Sequence, residues 1–332
     1  MSAIDVRDLS RTYVSTLGVI RRRRKEIEAV KPLSFSVEEG ELFGLLGPNG
    51  AGKTTTVKML TTLLIPTGGS ARVAGFDVEG EAREVQRRIG FIFGGERGLY
   101  WRLSGEDNLK YFATLYHVDP EVTKRRIPYL LELVGLKGRG NEKVEGYSRG
   151  MKQRLHVART LLHDPRILFL DEPTIGLDPV GARDFRRVIG NLRDEGKTIL
   201  LTTHYMYEAD LLCRRIAVID RGTIVALDSP SNLKRIVDDL SVIEVELFGA
   251  PETVTDAVAT VAGVEAVSIE ERDQRQALLI QTPRGAEVVS AVLERLQDHR
   301  VGRVTVREPT LEDAYIRLVD GSPGPEAEEA GG

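Results

Sequence analysis

The sequence predicts an α/β protein that has a mostly parallel sheet with an inserted helical subdomain, followed by a small α+β domain of ferredoxin-like type. Three observations predict this fold. Short apolar runs of strand type alternate with helical patterns through the first part of the chain. A glycine-rich loop joins one such run to a helix. The C-terminal part changes to the order strand, helix, strand, strand, helix, strand.

The domain boundaries follow from these changes of pattern. We place an α/β domain at residues 1–235, with its helical subdomain at about 100–160, and a second domain at 240–320. Residues 321–332 are rich in Gly, Pro and Glu, a composition that cannot bury a core, and they predict a disordered tail.

The composition is that of an ordinary globular protein of 332 residues, which is long enough for two domains. Its formal net charge of −4 provides no basic field to attract nucleic acid, so no nucleic-acid partner is expected. The chain lacks a long apolar run and a signal-like N-terminus, which predicts a cytoplasmic protein that does not span a membrane alone. The single cysteine, Cys213, lies in an apolar stretch and is expected to pack rather than react.

The first elements are strands interrupted by a run of charge. Strand patterns cover residues 4–13 and 33–37, and between them residues 15–26 contain the basic run 21–25. Charge runs usually face water, so we predict a solvated loop inserted between the two strands. Contact with anionic lipid headgroups or an acidic partner is the alternative.

The glycine-rich loop follows a strand-like run at 41–46 and precedes a helix-like run at 55–64, the context that G-x-x-x-x-G-K-[ST] requires. Its glycines let successive N–H groups point into one hollow, where the helix N-terminus favours anions. A chance glycine turn is the disfavoured alternative. We expect Lys53 to reach the β- and γ-phosphates and the Thr54 hydroxyl to ligate Mg²⁺. The residues predicted to bind the nucleotide are Gly47, Pro48, Asn49, Gly50, Ala51, Gly52, Lys53, Thr54 and Thr55.

The remaining elements of the first domain alternate. Apolar residues recur at helical spacing through 106–136, which predicts the helical subdomain. Ligands of parallel sheets gather at the carboxyl ends of strands, so Gly47, Asp171 and His204 are expected to converge on one crevice. The other predicted strands are 70–73, 88–93, 166–170, 198–202 and 215–220, and the other helices are 81–88, 151–163, 180–195 and 205–213.

Two carboxylates stand at the end of the buried strand 166–170. Asp171 is expected to hold the Mg²⁺ shell, and Glu172 to polarise a water for attack on the γ-phosphorus. A helix cap for Asp171 and simple solvation for Glu172 are the structural alternatives.

The segment Tyr147-Ser148-Arg149-Gly150-Met151 resembles the signature of the ATP-binding cassette (ABC) transporter ATPases, which reads LSGGQ in its commonest form. Residues 174–178, Thr-Ile-Gly-Leu-Asp, resemble the D-loop of that family, and His204 stands where the family has its switch histidine. A core histidine is the alternative for His204. The resemblance covers residues 4–233 and implies a P-loop NTPase cassette that binds ATP and Mg²⁺.

The resemblance also assigns roles that the residues alone do not. It implies that Ser148, Gly150 and Asp178 contact the nucleotide of a second subunit, and that Tyr13 stacks on adenine, with an ordinary sheet tyrosine as the alternative. The family usually has a glutamine after strand 88–93, where this chain has Gly94-Gly95-Glu96. Glu96 is a candidate replacement in the Mg²⁺ shell because a carboxylate suits that ion, and an exposed loop glutamate is the alternative.

Within the family, residues 47–64 and the segment 311–314 look most like drug and antibiotic exporters whose ATPase and membrane subunits are separate chains. This implies ATP-driven dimerisation with a second cassette, as a homodimer, and an integral-membrane permease partner at the inner face of the cell membrane. In the family that the chain resembles, the region corresponding to Trp101 lines the groove that receives a helix of the membrane subunit. Burial of Trp101 in the helical subdomain is the alternative. A soluble ATPase acting on ribosomes or DNA is the rival function, although the chain has neither a second phosphate loop nor sustained heptads.

Overall fold

The computed structural model describes residues 2–17, 23–93, 98–237, 240–251, 253–272 and 275–320. It divides into two compact units, Met1–Pro230 and Ser231–Gly332. Among the described residues, no helix combines the length and apolar character needed to cross a bilayer.

The first unit contains two sheets and seven helices in its described residues. In chain order its elements are β1 (Ser2–Leu17), β2 (Arg23–Glu38), β3 (Leu42–Leu46), α1 (Lys53–Leu60), β4 (Gly68–Val73), β5 (Phe76–Asp77), α2 (Ala82–Gln86), β6 (Ile89–Phe93), α3 (Gly105–Leu115), α4 (Pro120–Leu133), a 3₁₀ turn (Val144–Gly146), α5 (Arg149–Thr160), β7 (Ile167–Asp171), α6 (Pro179–Asp194), β8 (Thr198–Thr203), α7 (Met206–Leu212), β9 (Arg215–Asp220) and β10 (Thr223–Asp228).

The larger sheet has the strand order β10-β9-β3-β8-β7-β6. Its strands are parallel except for β10, which pairs antiparallel with β9. Strands β3 and β7 are buried along their whole length, which explains their nearly continuous apolar sequences. Since β3, β8 and β7 are adjacent, their carboxyl ends lie side by side. The edge strand β10 is not among the strands that the sequence predicts.

The smaller sheet is antiparallel, with the order β2-β1-β4-β5. Strands β1 and β2 pair from Ser2 opposite Glu38 to Leu17 opposite Arg23. The predicted inserted loop at 15–26 is therefore wrong, because strand pairing continues through most of that segment. Charge says little about backbone conformation, whereas β-branched residues such as Val14 and Ile27 favour a strand. Arg21 and Arg22 of the basic run lie outside the described residues.

The helical subdomain is formed by α3, α4 and α5, and side-chain caps fix where each helix begins. Ser104 accepts a hydrogen bond from the backbone N–H of Asp107, and Asp119 accepts two from the first turn of α4. Ser148 caps α5 by accepting from the N–H of Met151. Each cap satisfies a donor that a helix N-terminus otherwise leaves unpaired.

The second unit is built on an antiparallel sheet of order β12-β13-β11-β14. Its core combines Ile243, Val245 and Ile280 of the sheet with Val258 and Val292 of two helices. In chain order the elements are α8 (Pro230–Lys234), a 3₁₀ turn (Arg235–Val237), β11 (Ser241–Phe248), α9 (Val254–Ala259), β12 (Ala266–Arg272), β13 (Arg275–Thr282), a 3₁₀ turn (Gly285–Val288), α10 (Val289–Arg295), β14 (Arg300–Arg307) and α11 (Leu311–Asp320). From β11 to β14 this is a β-α-β-β-α-β arrangement.

Candidate functional site

The glycine-rich loop joins β3 to α1 at the centre of the larger sheet. Gly52, directly before α1, has φ +104°, a conformation that other residues rarely adopt. A methyl carbon placed on Gly47 would lie 2.1 Å from the carbonyl oxygen of Ile219. Both glycines are therefore required by the backbone, which turns tightly so that the N-terminus of α1 faces the hollow.

Lys53, the first residue of α1, is 4% exposed. Its Nζ donates to the carbonyl oxygens of Gly47 at 2.7 Å and Pro48 at 3.0 Å, and lies 3.2 Å from Oε1 of Glu172. The ammonium group is thus held beside the phosphate loop by short contacts. A phosphate in the loop would offer it a fully charged acceptor in place of the carbonyls.

Thr54 and Asp171 meet across the site. The Thr54 hydroxyl donates to Oδ2 of Asp171 at 2.9 Å, and the Thr202 hydroxyl donates to Oδ1 at 2.5 Å. Burial raises the pKa of the Asp171 carboxyl above its ordinary value, and the hydrogen bonds from Thr202 and Thr54 offset this only in part. A cation at this carboxylate would relieve the cost of burying its charge.

The oxygens of Thr54 and Asp171 fit Mg²⁺, which prefers one or two hard protein ligands together with substrate phosphates. Within the described ranges, no group of three or more His, Cys, Asp or Glu side chains could hold a metal ion by itself. Magnesium at this place would take further ligands from the phosphate oxygens of a bound nucleotide.

Glu172 follows directly and adopts φ +47°, an uncommon conformation for a residue with a side chain. Its N–H donates to the carbonyl oxygen of Thr202 at 3.1 Å and to the hydroxyl of that residue at 3.0 Å, which fixes the turn. Its carboxylate lies between Lys53 and His204, with Oε2 3.4 Å from Nδ1 of the histidine. Strained residues held in this way often occur at functional sites.

His204 follows β8, and its ring lies 4.1 Å from that of Tyr205. Its Nδ1 is buried and makes no hydrogen bond of good geometry to any described residue. The histidine is therefore not a core residue satisfied by its surroundings, and it faces the carboxylate at the carboxyl end of the sheet.

The phosphate loop opens on a cavity of about 490 Å³, large enough for a nucleotide. Sequence reasoning did not assign Ala29, Lys58, Phe93 or Ile175 to it. The cavity is lined by Ala29, Asn49, Gly50, Gly52, Lys53, Thr54, Thr55, Lys58, Phe93, Asp171, Glu172 and Ile175.

Tyr13 lies on β1 and is not among the residues that line this cavity. It is 38% exposed, pairs with Ile27 of β2, and carries the Arg11 guanidinium 5.0 Å from the centre of its ring. Ala29, which does line the cavity, is two residues farther along β2. The structure thus leaves Tyr13 near the cavity but outside its lining. Glu96, the candidate metal ligand, lies outside the described residues.

Ser148, Gly150 and Asp178 are likewise absent from the lining of this cavity. Ser148 and Gly150 lie at the start of α5, and Asp178 directly precedes α6. A methyl carbon on Gly150 would lie 3.6 Å from Cα of Gly181, so the two helix starts are close together. The chain therefore presents two separate groups of predicted nucleotide contacts.

Trp101 and Cys213 have opposite environments. Trp101 is 52% exposed, and the ammonium group of Lys152 lies 5.1 Å from the centre of its ring. The alternative that Trp101 is buried in the helical subdomain is therefore wrong. Cys213 is buried, and burial raises the pKa of its thiol far above the ordinary value, so it is not poised to react.

A parallel sheet with a phosphate loop, a buried aspartate and a following glutamate defines a nucleotide-binding protein of the P-loop class. Comparison with known proteins identifies the family. The family model described as ABC transporter matches residues 30–175. The chain is 33% identical over 291 residues to the linearmycin resistance ATP-binding protein LnrL of Bacillus subtilis (strain 168), covering 87% of this chain and 93% of that protein.

Two further matches agree. The daunorubicin resistance ATP-binding protein DrrA2 of Streptomyces coeruleorubidus is 39% identical over 310 residues, 92% of this chain and 95% of its own length. A dimeric bacterial ABC transporter cassette of known structure superposes with a TM-score of 0.59 at 25% identity, covering 68% of this chain and 98% of that one. The chain belongs to the ATP-binding proteins of ABC transporters and is an ATPase subunit that drives transport.

Proposed function

We propose that this chain hydrolyses ATP at the Lys53–Asp171–Glu172 site as the ATPase subunit of an exporter. The observation that carries this proposal is the constellation around Glu172. Its carboxylate lies 3.2 Å from the Lys53 ammonium and 3.4 Å from His204, and Glu172 lines the same cavity as Thr54 and Asp171.

Each residue has one task in the proposed reaction. The loop and Lys53 bind the β- and γ-phosphates, and Thr54 with Asp171 would hold Mg²⁺, which neutralises phosphate charge when bound. Glu172 accepts the proton of the attacking water, and His204 orients the γ-phosphate and that carboxylate. The strained turn at Glu172 aims its side chain at the cavity before substrate arrives.

The second group of contacts requires a second chain. Ser148, Gly150 and Asp178 are separate from the cavity of their own chain, which supports a head-to-tail homodimer in which they contact the nucleotide of the partner. Dimer closure then completes each site, and hydrolysis releases it. Cassettes of this family dimerise and work with membrane subunits.

The partner and the cargo follow from the relatives. The names of LnrL and DrrA2 record resistance to linearmycin and daunorubicin. We therefore assign this chain a separate membrane permease, a place on the inner face of the cell membrane, and a drug, antibiotic or other hydrophobic compound as cargo. The rival function on ribosomes or DNA is not favoured by these relatives.

The variant Glu172→Gln tests the catalytic assignment. It keeps the size of the side chain but replaces the carboxylate base by a neutral amide, so ATP hydrolysis should fall by about 100-fold or more while ATP binding persists. Glu121→Gln, an exposed glutamate on α4, is the matched control and should retain full activity. Hydrolysis by Glu172→Gln at the parent rate would reject the assignment.

A second experiment tests export. When the tagged chain is purified from detergent-solubilised membranes, an integral-membrane protein should accompany it in fixed proportion. Copurification of ribosomal RNA instead would reject the transport assignment.

Removal of divalent cations with EDTA should stop hydrolysis, and added Mg²⁺ should restore it.

A further inference from the structure

Glu208 on α7 is a buried carboxylate that the proposed reaction does not use. It is 3% exposed, yet it accepts hydrogen bonds from three different segments of the chain. Its Oε2 accepts from the Thr174 hydroxyl at 2.9 Å and the Thr203 hydroxyl at 3.2 Å, and its Oε1 accepts from Nη1 of Arg186 at 3.1 Å. Both oxygens of the carboxylate are therefore engaged.

Two of these partners adjoin residues of the proposed site. Thr203 directly precedes His204, and its hydroxyl also accepts from the N–H of Tyr205 at 2.9 Å, so it holds the backbone on both sides of the histidine. Thr174 follows Glu172 by two positions and opens the loop 174–178, which ends at Asp178. One carboxylate thus connects the histidine segment with this loop.

The loop 174–178 also contacts the start of α5. A methyl carbon placed on Gly176 would lie 2.1 Å from Nη1 and 2.4 Å from Cζ of Arg149, so that guanidinium lies against the glycine backbone. Arg149 directly follows Ser148, the cap of α5. The contacts therefore continue from Glu208 through the loop to the residues that the proposed dimer presents to the partner.

We propose that Glu208 is a positioning residue that holds His204 at the ATP site of its own chain in fixed register with the loop 174–178, which faces the ATP site of the partner. The inference rests on the proposed function and goes beyond it by assigning communication between the two sites to one buried carboxylate. An ionised carboxylate suits this task because charge-assisted hydrogen bonds in a buried place are strong and restrict their partners to one arrangement.

Thr174→Val tests the inference with the smallest change, because valine matches threonine in shape and removes only the hydroxyl that donates to Glu208. We expect kcat for ATP to fall about tenfold, as misplaced catalytic groups do, while the affinity of the isolated chain for ATP changes less than about twofold. Thr174→Ser keeps the hydroxyl and should retain the parent kcat. In the Glu172→Gln background, Thr174→Val should raise the ATP concentration needed for dimerisation.

Glu41→Gln is the matched control for loss of stability alone. Glu41 is a buried carboxylate that accepts two 2.8 Å hydrogen bonds from Arg215, beside the first residue of β3, at the opposite end of the sheet from the site. The variant Glu41→Gln should lower the melting temperature but leave kcat per folded molecule unchanged.

Four outcomes decide the inference. The expected result is a lower kcat for Thr174→Val, with the activity preserved in Thr174→Ser and Glu41→Gln. Parent kcat in Thr174→Val, or equal losses of kcat in Thr174→Val and Glu41→Gln, would overturn it while leaving the proposed function intact. A parent chain that hydrolyses no ATP would overturn the proposed function and this inference together.

Discussion

Asp171 illustrates at the scale of one residue how a site trades stability for chemistry. Its carboxylate is buried at the end of β7 and has lost most of its hydration. The hydrogen bonds from two hydroxyls compensate for this only in part, so the pKa of the carboxyl is raised. A raised pKa means that the folded protein binds this proton more tightly than the unfolded chain does. The linked free energy of unfolding then rises as the pH falls through the raised pKa.

The variant Asp171→Asn should therefore melt at a temperature equal to or above that of the parent in the absence of nucleotide, because it buries no charge. It should lose the additional stabilisation that ATP with Mg²⁺ gives the parent, since an amide is a poor ligand for Mg²⁺. Thermal melts with and without MgATP measure both effects. A lower melting temperature without nucleotide, or the full gain with MgATP, contradicts this account.

The residues of the site differ in how far they could be predicted. Lys53, Thr54, Asp171 and Glu172 belong to local motifs, in which a few neighbouring residues determine both backbone and chemistry. Ala29 lines the same cavity only because a segment distant in sequence meets the loop there, and no local signal marks it. Glu208 stands four residues after His204, but two of its three partners, Thr174 and Arg186, are 34 and 22 positions away in the sequence.

At the scale of elements, the apolar strands of the larger sheet were the most predictable, because burial on both faces leaves a continuous signal. The β1–β2 hairpin was predicted least well. Its pairing depends on contacts between strands, and the run of basic residues obscured a strand that the backbone supports.

The first turn of helix α11 in the second unit is held to the end of β14 by Asp313. This side chain is buried and accepts two hydrogen bonds from Thr310 and two from Arg307. Burial pushes the pKa of Asp313 upward, but the hydrogen bonds from Arg307 and Thr310 outweigh burial and hold it below its ordinary value. This stabilisation is present above the unfolded carboxyl pKa of about 3.9 and is lost as the pH falls through the lowered folded pKa.

Asp313→Asn should therefore lower the free energy of opening of α11 by about 1–3 kcal/mol at neutral pH. Hydrogen exchange of the amides in residues 311–320 measures this directly. The difference in protection between variant and parent should shrink in acid, because the parent carboxyl is then protonated and uncharged, like the amide of the variant. Asp298→Asn, an exposed aspartate of the same unit, should have no effect, and equal protection of α11 in Asp313→Asn and the parent would contradict the prediction.

The variant Trp101→Ala tests whether the outer surface of the helical subdomain binds the membrane subunit. Because it is half exposed, Trp101→Ala should leave the melting temperature and the ATPase activity of the isolated chain nearly unchanged. It should nevertheless weaken binding to the membrane subunit, since aromatic anchors contribute much of the energy of an interface. Leu63→Ala, an equally exposed apolar residue at 52%, is the control in the same pull-down. Full-strength binding by Trp101→Ala would rule out the docking role.

At the scale of the whole molecule, the separation of two proposed groups of nucleotide contacts on one chain predicts that two chains complete each other's ATP sites. Lys53 lines the cavity, whereas Ser148 caps a different helix and lies outside it. In the proposed head-to-tail dimer each ATP would need Lys53 from one chain and Ser148 from the other. Two defective chains should then restore one site between them if each carries a different defect.

The experiment uses Lys53→Ala and Ser148→Arg, both in the Glu172→Gln background, which stops hydrolysis. A dimer of the first variant contains no intact Lys53, and a dimer of the second has both signature contacts blocked by the bulky arginine, so neither should dimerise with ATP. A mixture forms one complete site from the Lys53 of one chain and the Ser148 of the other. Light scattering should therefore detect an ATP-dependent dimer only in the mixture, and it should trap half the nucleotide that the Glu172→Gln dimer traps. Dimers of either variant alone, or none in the mixture, would show that the two groups do not serve the same ATP.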